Sequence, residues 1–172
     1  MTCIKLAGGT TIPKILNSIP HSCTQGYKVK LTSEQAQRYK LDNQIGHILR
    51  KANQRHTSIF SNVMPSELTP TRFAAMAKLL ESGSLSQNEL GRATAMDIAT
   101  IKGVVDRLRQ RDLVKSSKDP NDARRQLITL TAQGLKVIQA AMTEAVAVTE
   151  QTVSPLSKTE AAQLIKLLQK IT

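Results

Sequence analysis

Apolar residues recur at intervals of three and four along most of the chain after position 40, a pattern that predicts amphipathic helices. The first helix is predicted to begin at about Ser33 or Leu41 and to end at Val63, because Pro65 does not continue a helix. Residues 1–30 show no such period and are interrupted by glycines and prolines. An irregular N-terminal leader is therefore expected before the first helix.

Capping signals divide the middle of the chain into three short helices. Thr69 followed by Pro70 is a favoured helix start. Ser86, with a glutamate three residues later, predicts a capping box at the start of the third helix, and Asp97 is a cap for the fourth. About three residues join the third and fourth helices, as in a helix-turn-helix. The fourth helix is predicted to bury a stripe made of Ile101, Val104, Val105 and Leu108.

A basic hairpin is predicted after the fourth helix. Residues 113–116 and 126–130 have strand character. The residues between them form strong turn chemistry, namely Lys118-Asp119-Pro120-Asn121-Asp122. A helix-turn-helix followed by such a hairpin is the arrangement of a winged helix-turn-helix, in which the hairpin is the wing.

Two more helices are predicted at the C-terminal end. Thr131 caps a fifth helix that reaches about Val153, and Ser157 with Glu160 begins a sixth. The fifth helix is predicted to bury one apolar stripe, made of Leu135, Ile138, Met142, Val146, Thr149 and Val153. The terminal helices carry more apolar surface than a small winged core can cover, so a symmetric homodimer is expected.

The predicted fold class is therefore mainly α with a small β-wing, a winged helix-turn-helix with N- and C-terminal dimerisation helices. Residues 65–131 are expected to form the DNA-binding lobe, and residues 31–64 and 132–172 the dimerisation helices of the same compact domain. With 172 residues, the chain has room for one domain with a real core and little room for two.

Charge favours a polyanionic partner. The net charge is +11, and residues 92–125 hold nine Lys or Arg against five Asp or Glu. Clustered cations on a predicted helix-turn-helix are typical of nucleic-acid binding. A merely basic surface on a scaffold that binds DNA without sequence selectivity is the alternative.

Several function classes lack their signals in the sequence. No apolar run approaches the length of a membrane span, and residues 4–16 do not have the pattern of a secretory signal. Neither a glycine-rich phosphate loop nor a nucleophile motif is present, and the histidines are not spaced as metal ligands. We therefore expect a cytoplasmic protein that is not an enzyme and has no metal or cofactor.

In this order and spacing, the motifs resemble those of the MarR family of winged helix-turn-helix regulators. The resemblance covers roughly residues 40–172. The matching segments are Leu68-Thr69-Pro70, Ser86-Gln87-Asn88-Glu89-Leu90, Val105-Asp106-Arg107-Leu108, Asp119-Pro120-Asn121-Asp122-Ala123-Arg124, Leu130-Thr131 and Gly134. The chain departs from the family at Asp112, where glycine is usual. The resemblance implies a dimeric repressor that binds a palindromic operator in double-stranded DNA.

Within that family, the first helix is similar to that of repressors of aromatic-acid breakdown, including regulators of hydroxycinnamate and nicotinate catabolism. The similarity lies in residues 41–50 and in Gln54-Arg55-His56. It implies an effector that is a small aromatic acid or its CoA thioester.

The N-terminal, outward residues of a recognition helix contact base edges in the major groove. Here those residues are Ala99, Thr100, Lys102 and Gly103. Thr100 is expected to offer a hydroxyl or a methyl group, Lys102 a cation, and the two small residues a close approach. Helix packing is the alternative role for Gly103.

Other cations are expected to contact phosphates or the minor groove. Arg124 lies beside the hairpin tip, where a long cation can enter the narrow minor groove, and Asp122 is expected to hold its guanidinium in a bidentate pair. Phosphate contacts are expected from Arg107, Arg109, Arg111, Lys118 and Arg125, although one of the first three is expected to be only solvated.

Candidate sensing residues lie on the first two helices. Arg55 and His56 fall in the apolar arc of the first helix, where a charge needs a partner or a ligand. An aromatic carboxylate would suit a pocket made of Arg55, His56, Phe60, Met64 and Arg72. The alternative is an intersubunit salt bridge by Arg55 and a satisfied core histidine.

Oxidation is a second possible sensing mechanism. It would use Cys23 or Cys3, although no basic cluster or helix start nearby obviously lowers the pKa of either thiol.

Overall fold

A computed structural model describes residues 39–65, 67–122 and 124–172. The chain divides into two compact units, Met1–Leu41 and Asp42–Thr172. The expected leader over residues 1–30, the possible helix start at Ser33 and both cysteines, Cys3 and Cys23, lie outside the described residues.

Six helices and three strands form the second unit. The helices are α1 (Ile45–Val63), α2 (Pro70–Ser82), α3 (Gln87–Ala93), α4 (Ile98–Gln110), α5 (Ala132–Val153) and α6 (Lys158–Leu168), and the strands are β1 (Ser84–Ser86), β2 (Val114–Lys118) and β3 (Gln126–Leu130). A short 3-10 helix at Leu41–Asn43 precedes α1. The regular first helix therefore begins at Ile45 and not at Leu41, because Gln44 has an extended backbone.

Side-chain caps set the predicted helix starts. Thr69 accepts a hydrogen bond from the backbone N of Arg72, and Pro70 follows it as the first helical residue. Ser86 and Glu89 form the predicted capping box of α3. Each cap satisfies backbone N–H groups that a helix start leaves without a partner.

The turn between α3 and α4 depends on a close backbone approach. A Cβ at the buried Gly91 would lie 3.2 Å from both Ile101 Cγ2 and the carbonyl oxygen of Met96. Ala95 in this turn has φ of 52°, in the left-handed region. The small residue at position 91 lets the two helices cross closely, which positions α4.

The strands form an antiparallel sheet in the order β1-β3-β2. β3 has the predicted bounds, whereas β2 runs from Val114 to Lys118 and is shifted toward the tip. The sequence did not predict β1, because three residues, two of them serine, show no strand period. β1 pairs Leu85 with Ile128 of β3 and thereby ties the sheet to the start of α3.

The core lies where α2, α3, α4 and the sheet meet α5. As predicted, the whole apolar stripe of α4 is buried. The most completely buried large side chains are Met76, Leu79, Leu90, Ile101, Val105, Leu108, Ile128 and Ile138.

α5 buries the predicted stripe only in part: Ile138 is buried and Met142 packs against the core, as predicted. Its buried residues are Gly134, Ile138, Ala141 and Val148, whereas Leu135 and Val146 are 38% and 59% exposed. Small residues let α5 approach the winged core: a Cβ at Gly134 would overlap the carbonyl group of Leu113. Leu135 and Val146, at the edges of the predicted stripe, consequently remain exposed in the protomer.

The outer helices expose apolar side chains. Within the second unit these are Ile45, Ile48, Leu49, Leu156, Leu164, Ile165, Leu167 and Ile171. Among the described residues, no helix is sufficiently long and apolar to cross a bilayer.

Candidate nucleic-acid interface

The first turn of α4 is fixed by its cap. Asp97 Oδ1 accepts from the backbone N of Thr100 at 2.7 Å, and Thr100 Oγ1 donates to Asp97 Oδ2 at 3.0 Å. These bonds from the Thr100 backbone and hydroxyl hold the pKa of Asp97 below its usual value. The sequence analysis expected Thr100 to offer a hydroxyl or a methyl group to a base edge. Because the hydroxyl binds the cap residue Asp97, the methyl group of Thr100 is the part that stays available.

The other predicted recognition residues are open. Ala99 and Lys102 are exposed. A Cβ added to Gly103 would meet nothing within 4 Å among the described residues, so they give no support to the alternative role of this glycine in helix packing. α4 therefore presents a cation and two small residues on the face away from the core.

We define the wing as residues 114–130. Two aspartate side chains hold the turn at its tip by accepting hydrogen bonds from the backbone. Asp119 Oδ1 accepts from the backbone N of Asn121 and Asp122 Oδ1 accepts from the backbone N of Arg124, both at 2.9 Å. The expected bidentate pair is therefore replaced, since Asp122 holds the backbone of Arg124. The main chain of the exposed Arg124 is therefore fixed by this hydrogen bond.

Arg125 connects the wing to α3. Its guanidinium forms an ion pair with Glu89 Oε2 and lies 3.7 Å from Asp119 Oδ2. The hydrogen bond from Arg125 and those from Ser86 lower the pKa of Glu89 to about 2. This differs from the expected phosphate contact, because Arg125 already has two acidic partners inside the protein.

The arginines at the end of α4 differ in their partners. Arg109 bonds to Ser116 Oγ of β2 and lies 3.5 Å from Asp106 Oδ1. Arg111 lies 3.9 Å from Glu67 Oε2, whereas Arg107 is exposed. Within the part of the chain that the structure describes, the side chains of Lys102, Arg107, Lys118 and Arg124 have no hydrogen bond or ion pair.

Arg92 was missed by the sequence analysis. It lines an open cleft of about 590 Å³ between α3 and the wing tip, together with Gln87, Asn88 and Arg124. The first helix of a helix-turn-helix crosses the DNA backbone, so its exposed polar residues are candidates for phosphate contacts. The signal in the sequence is the position of Arg92 on the third predicted helix, the first helix of the helix-turn-helix.

Two of the predicted sensing residues, Arg55 and His56, connect α1 to the end of α5. Arg55 Nη2 donates to the carbonyl oxygen of Gln151 at 3.1 Å, and His56 Nδ1 lies 3.0 Å from Thr152 Oγ1. The centroids of the His56 and Phe60 rings are 6.3 Å apart. Protein partners thus engage both polar side chains, and Phe60 lies in the core.

Met64 and Arg72 lie at the junction of α1 and α2. Met64 is buried in the core. Arg72 Nη1 donates to the carbonyl oxygen of Glu67 at 2.7 Å, and Arg72 Nε is buried without a partner among the described residues. Arg72 therefore keeps a hydrogen-bond donor that none of the described residues satisfies.

The model of the MarR family matches residues 68–125, the segment from the start of α2 through the wing tip. The HTH-type transcriptional repressor NicR of Pseudomonas putida is 40% identical over 134 residues, which cover 77% of this chain and 85% of NicR. The chain belongs to the MarR family. This confirms the resemblance drawn from the helix caps and the wing.

Solved MarR-type structures confirm the winged helix fold. A probable transcriptional regulator from Pseudomonas aeruginosa is 47% identical, with a TM-score of 0.75, and the match covers 77% of this chain and all of that one. BpsR of Bordetella bronchiseptica is 38% identical, with a TM-score of 0.70 over 74% of this chain and 97% of BpsR. That structure concerns the mechanism by which 6-hydroxynicotinic acid regulates the DNA binding of BpsR.

Proposed function

We propose that this MarR-family protein is a homodimeric transcriptional repressor that binds an operator through α4 and the wing and leaves it when a small aromatic acid binds. The observation that carries the proposal is the arrangement of unpaired cations: Lys102 on α4 and Arg124 at the wing tip are exposed and lack partners among the described residues. A helix in the major groove with a cation in the adjacent minor groove accounts for both.

The exposed apolar faces support a dimer. Ile45 on α1 is 65% exposed, and Ile165 and Leu167 on α6 are 48% and 52% exposed. Burying such faces against a second copy gains roughly 25 cal/mol per Å² of apolar area removed from water. A twofold dimer would present two copies of α4 to two half-sites.

The 38% identity with BpsR supports a pyridine or benzene carboxylate as the effector. We propose that Arg72 binds the carboxylate, because its Nε is buried and unpaired, and that Phe60 and Met64 lie near the ring. Arg55 and His56 link α1 to α5, so a ligand that disturbs those links would change the separation of the two α4 helices. The coupling is a population shift set by differential affinity.

DNA binding is tested by selecting duplexes from a random pool with the wild-type protein. The proposal predicts a palindromic site and an affinity for it that exceeds the affinity for random DNA by roughly 1,000-fold or more. Equal affinity for both would show the non-selective scaffold instead.

The effector is tested by titrating the complex with 6-hydroxynicotinate, nicotinate, benzoates, cinnamates and their CoA thioesters. At least one acid should release the DNA from the wild type, and Arg72→Gln should require a higher concentration of that acid while binding DNA normally. Release by none of these compounds would overturn the effector class and leave the DNA-binding proposal in place.

A further inference from the structure

Ile98, the first residue of α4, is 73% exposed, the largest fraction among the exposed large hydrophobic residues of the described chain. The others within Asp42–Thr172 lie on α1, on α5 or in and beside α6. Those faces suit a second copy of the chain. Exposure of one apolar residue is common on protein surfaces, but this one lies on the turn proposed to enter the major groove.

The first turn of α4 itself offers few hydrogen-bonding groups to a base, although Asn88 and Arg92 of α3 line the cleft beside Ile98. The carboxylate of Asp97 and the hydroxyl of Thr100 bind each other, and the side chain of Ala99 has no polar atom. Lys102, one turn further along, is the open polar side chain on this face. The first turn of α4 is therefore mainly apolar on its outer surface.

The largest apolar group on the major-groove edge of the base pairs is the C5-methyl of thymine. We propose that Ile98 contacts the C5-methyl group of a thymine in each operator half-site and thereby helps to set the sequence that the protein selects. The inference rests on the proposed function, since it assigns a role within that DNA contact.

Arg92 lies close enough to Ile98 to support the proposed contact with DNA. Arg92 and Ile98 line the same cleft of about 270 Å³ between α3 and α4, together with Met96. Arg92 is exposed and can bind a phosphate of the strand whose base meets Ile98. One nucleotide could thus be held through its phosphate and its methyl group.

Deoxyuridine scanning tests the contact. Each thymine of the selected site is replaced in both half-sites by deoxyuridine, which lacks only the methyl group, and affinity is measured for the wild type and for Ile98→Ala. One position should weaken wild-type binding about fourfold per half-site, or roughly fifteenfold for two, the loss expected for one buried carbon group. Ile98→Ala should bind the thymine and deoxyuridine duplexes equally at that position.

Gln110→Ala, at the exposed far end of α4, is the matched control and should keep the wild-type sensitivity to deoxyuridine. Circular dichroism should show that Ile98→Ala folds, because the exposed side chain of Ile98 contributes little to the core. If the wild type selects a site but no deoxyuridine weakens it, or Ile98→Ala keeps the same sensitivity, the inference is overturned and the proposed function stands. If the wild type selects no site, both fail.

Discussion

Arg124 has its backbone fixed by Asp122 and its exposed guanidinium at the wing tip, so its replacement should affect DNA binding and leave the fold intact. Arg124→Ala should bind the selected site much more weakly than the wild type does. The slope of log affinity against log salt should become less steep by about 0.9 for each phosphate interaction lost. Fluorescence anisotropy at several salt concentrations measures both.

The matched control for charge is Lys170→Ala, which removes an exposed cation near the C-terminal end. It should leave the salt slope unchanged. A wild-type affinity in Arg124→Ala would contradict the role of the wing.

Glu89 should make the attachment of the wing sensitive to acid. A carboxyl group whose pKa is lower in the folded state stabilises the fold above its unfolded pKa, and this contribution is lost as the pH falls through the folded value. For Glu89 that window runs from about 4.5 down to about 2. The melting temperature of Glu89→Gln should be lower than that of the wild type at pH 7 and should fall less steeply across this window.

Glu81→Gln, at an exposed carboxylate on α2, is the control and should follow the wild-type pH profile. Identical profiles for the wild type and Glu89→Gln would show that the ion pair with Arg125 does not hold the wing.

The turns that flank α4 contain two non-glycine residues in the left-handed region, Ala95 with φ of 52° and Asp112 with φ of 53°. This conformation costs an L-residue about 1–2 kcal/mol, and glycine relieves it at an entropic cost of about 0.4–1 kcal/mol. Ala95→Gly should therefore raise the free energy of unfolding by about 1 kcal/mol. Asp112→Gly should raise it less, because aspartate tolerates this region better.

Urea unfolding measures these changes. Ala140→Gly, at an exposed position in the middle of α5, should instead lower stability by about 1 kcal/mol, the ordinary cost of glycine in a helix. Destabilisation by Ala95→Gly as well would contradict the strained turn.

Local signals predicted most elements well, because the caps and breakers act on neighbouring residues. Thr69, Ser86, Asp97, Thr131 and Ser157 all begin helices as predicted. β1 was missed because its pairing with β3 joins residues far apart in the chain. The buried stripe of α5 was wrong at Leu135 and Val146, because helical period alone does not distinguish a face packed on the core from one left for a partner.

For the interface, the sequence predicted which residue types were present but not which of them were already engaged. Arg125 binds Glu89, which lies far from it in the chain, so no local pattern indicates that pair. The cap at Asp97 was predicted, but its bond with the hydroxyl of Thr100 was not. The exposure of Ile98 could not be predicted either, because the sequence alone does not show whether an apolar residue at a helix start is buried or exposed.

At the scale of the whole molecule, the apolar face of α6 should hold two copies together. Ile165→Glu introduces a charge on a helix where Ile165 is 48% exposed in the protomer. A buried charge without a partner is strongly unfavourable, so the variant should dissociate at concentrations at which the wild type is dimeric. Sedimentation velocity should show the shift.

Gln163→Glu, an exposed position on the same helix, adds the same charge as a control and should remain dimeric. A dimer of unchanged stability in Ile165→Glu would place the contact between copies elsewhere.

The central claim is that a dimer places α4 in the major groove and Arg124 in the adjacent minor groove, and hydroxyl-radical footprinting of the selected operator tests it most directly. The wild type should protect two symmetry-related half-sites whose centres lie about one helical turn or a multiple apart, with further minor-groove protection beyond each. Arg124→Ala, at concentrations that saturate the site, should lose the outer protections and keep the central ones. Outer protection that persists in Arg124→Ala, or a footprint without twofold symmetry, would contradict the account.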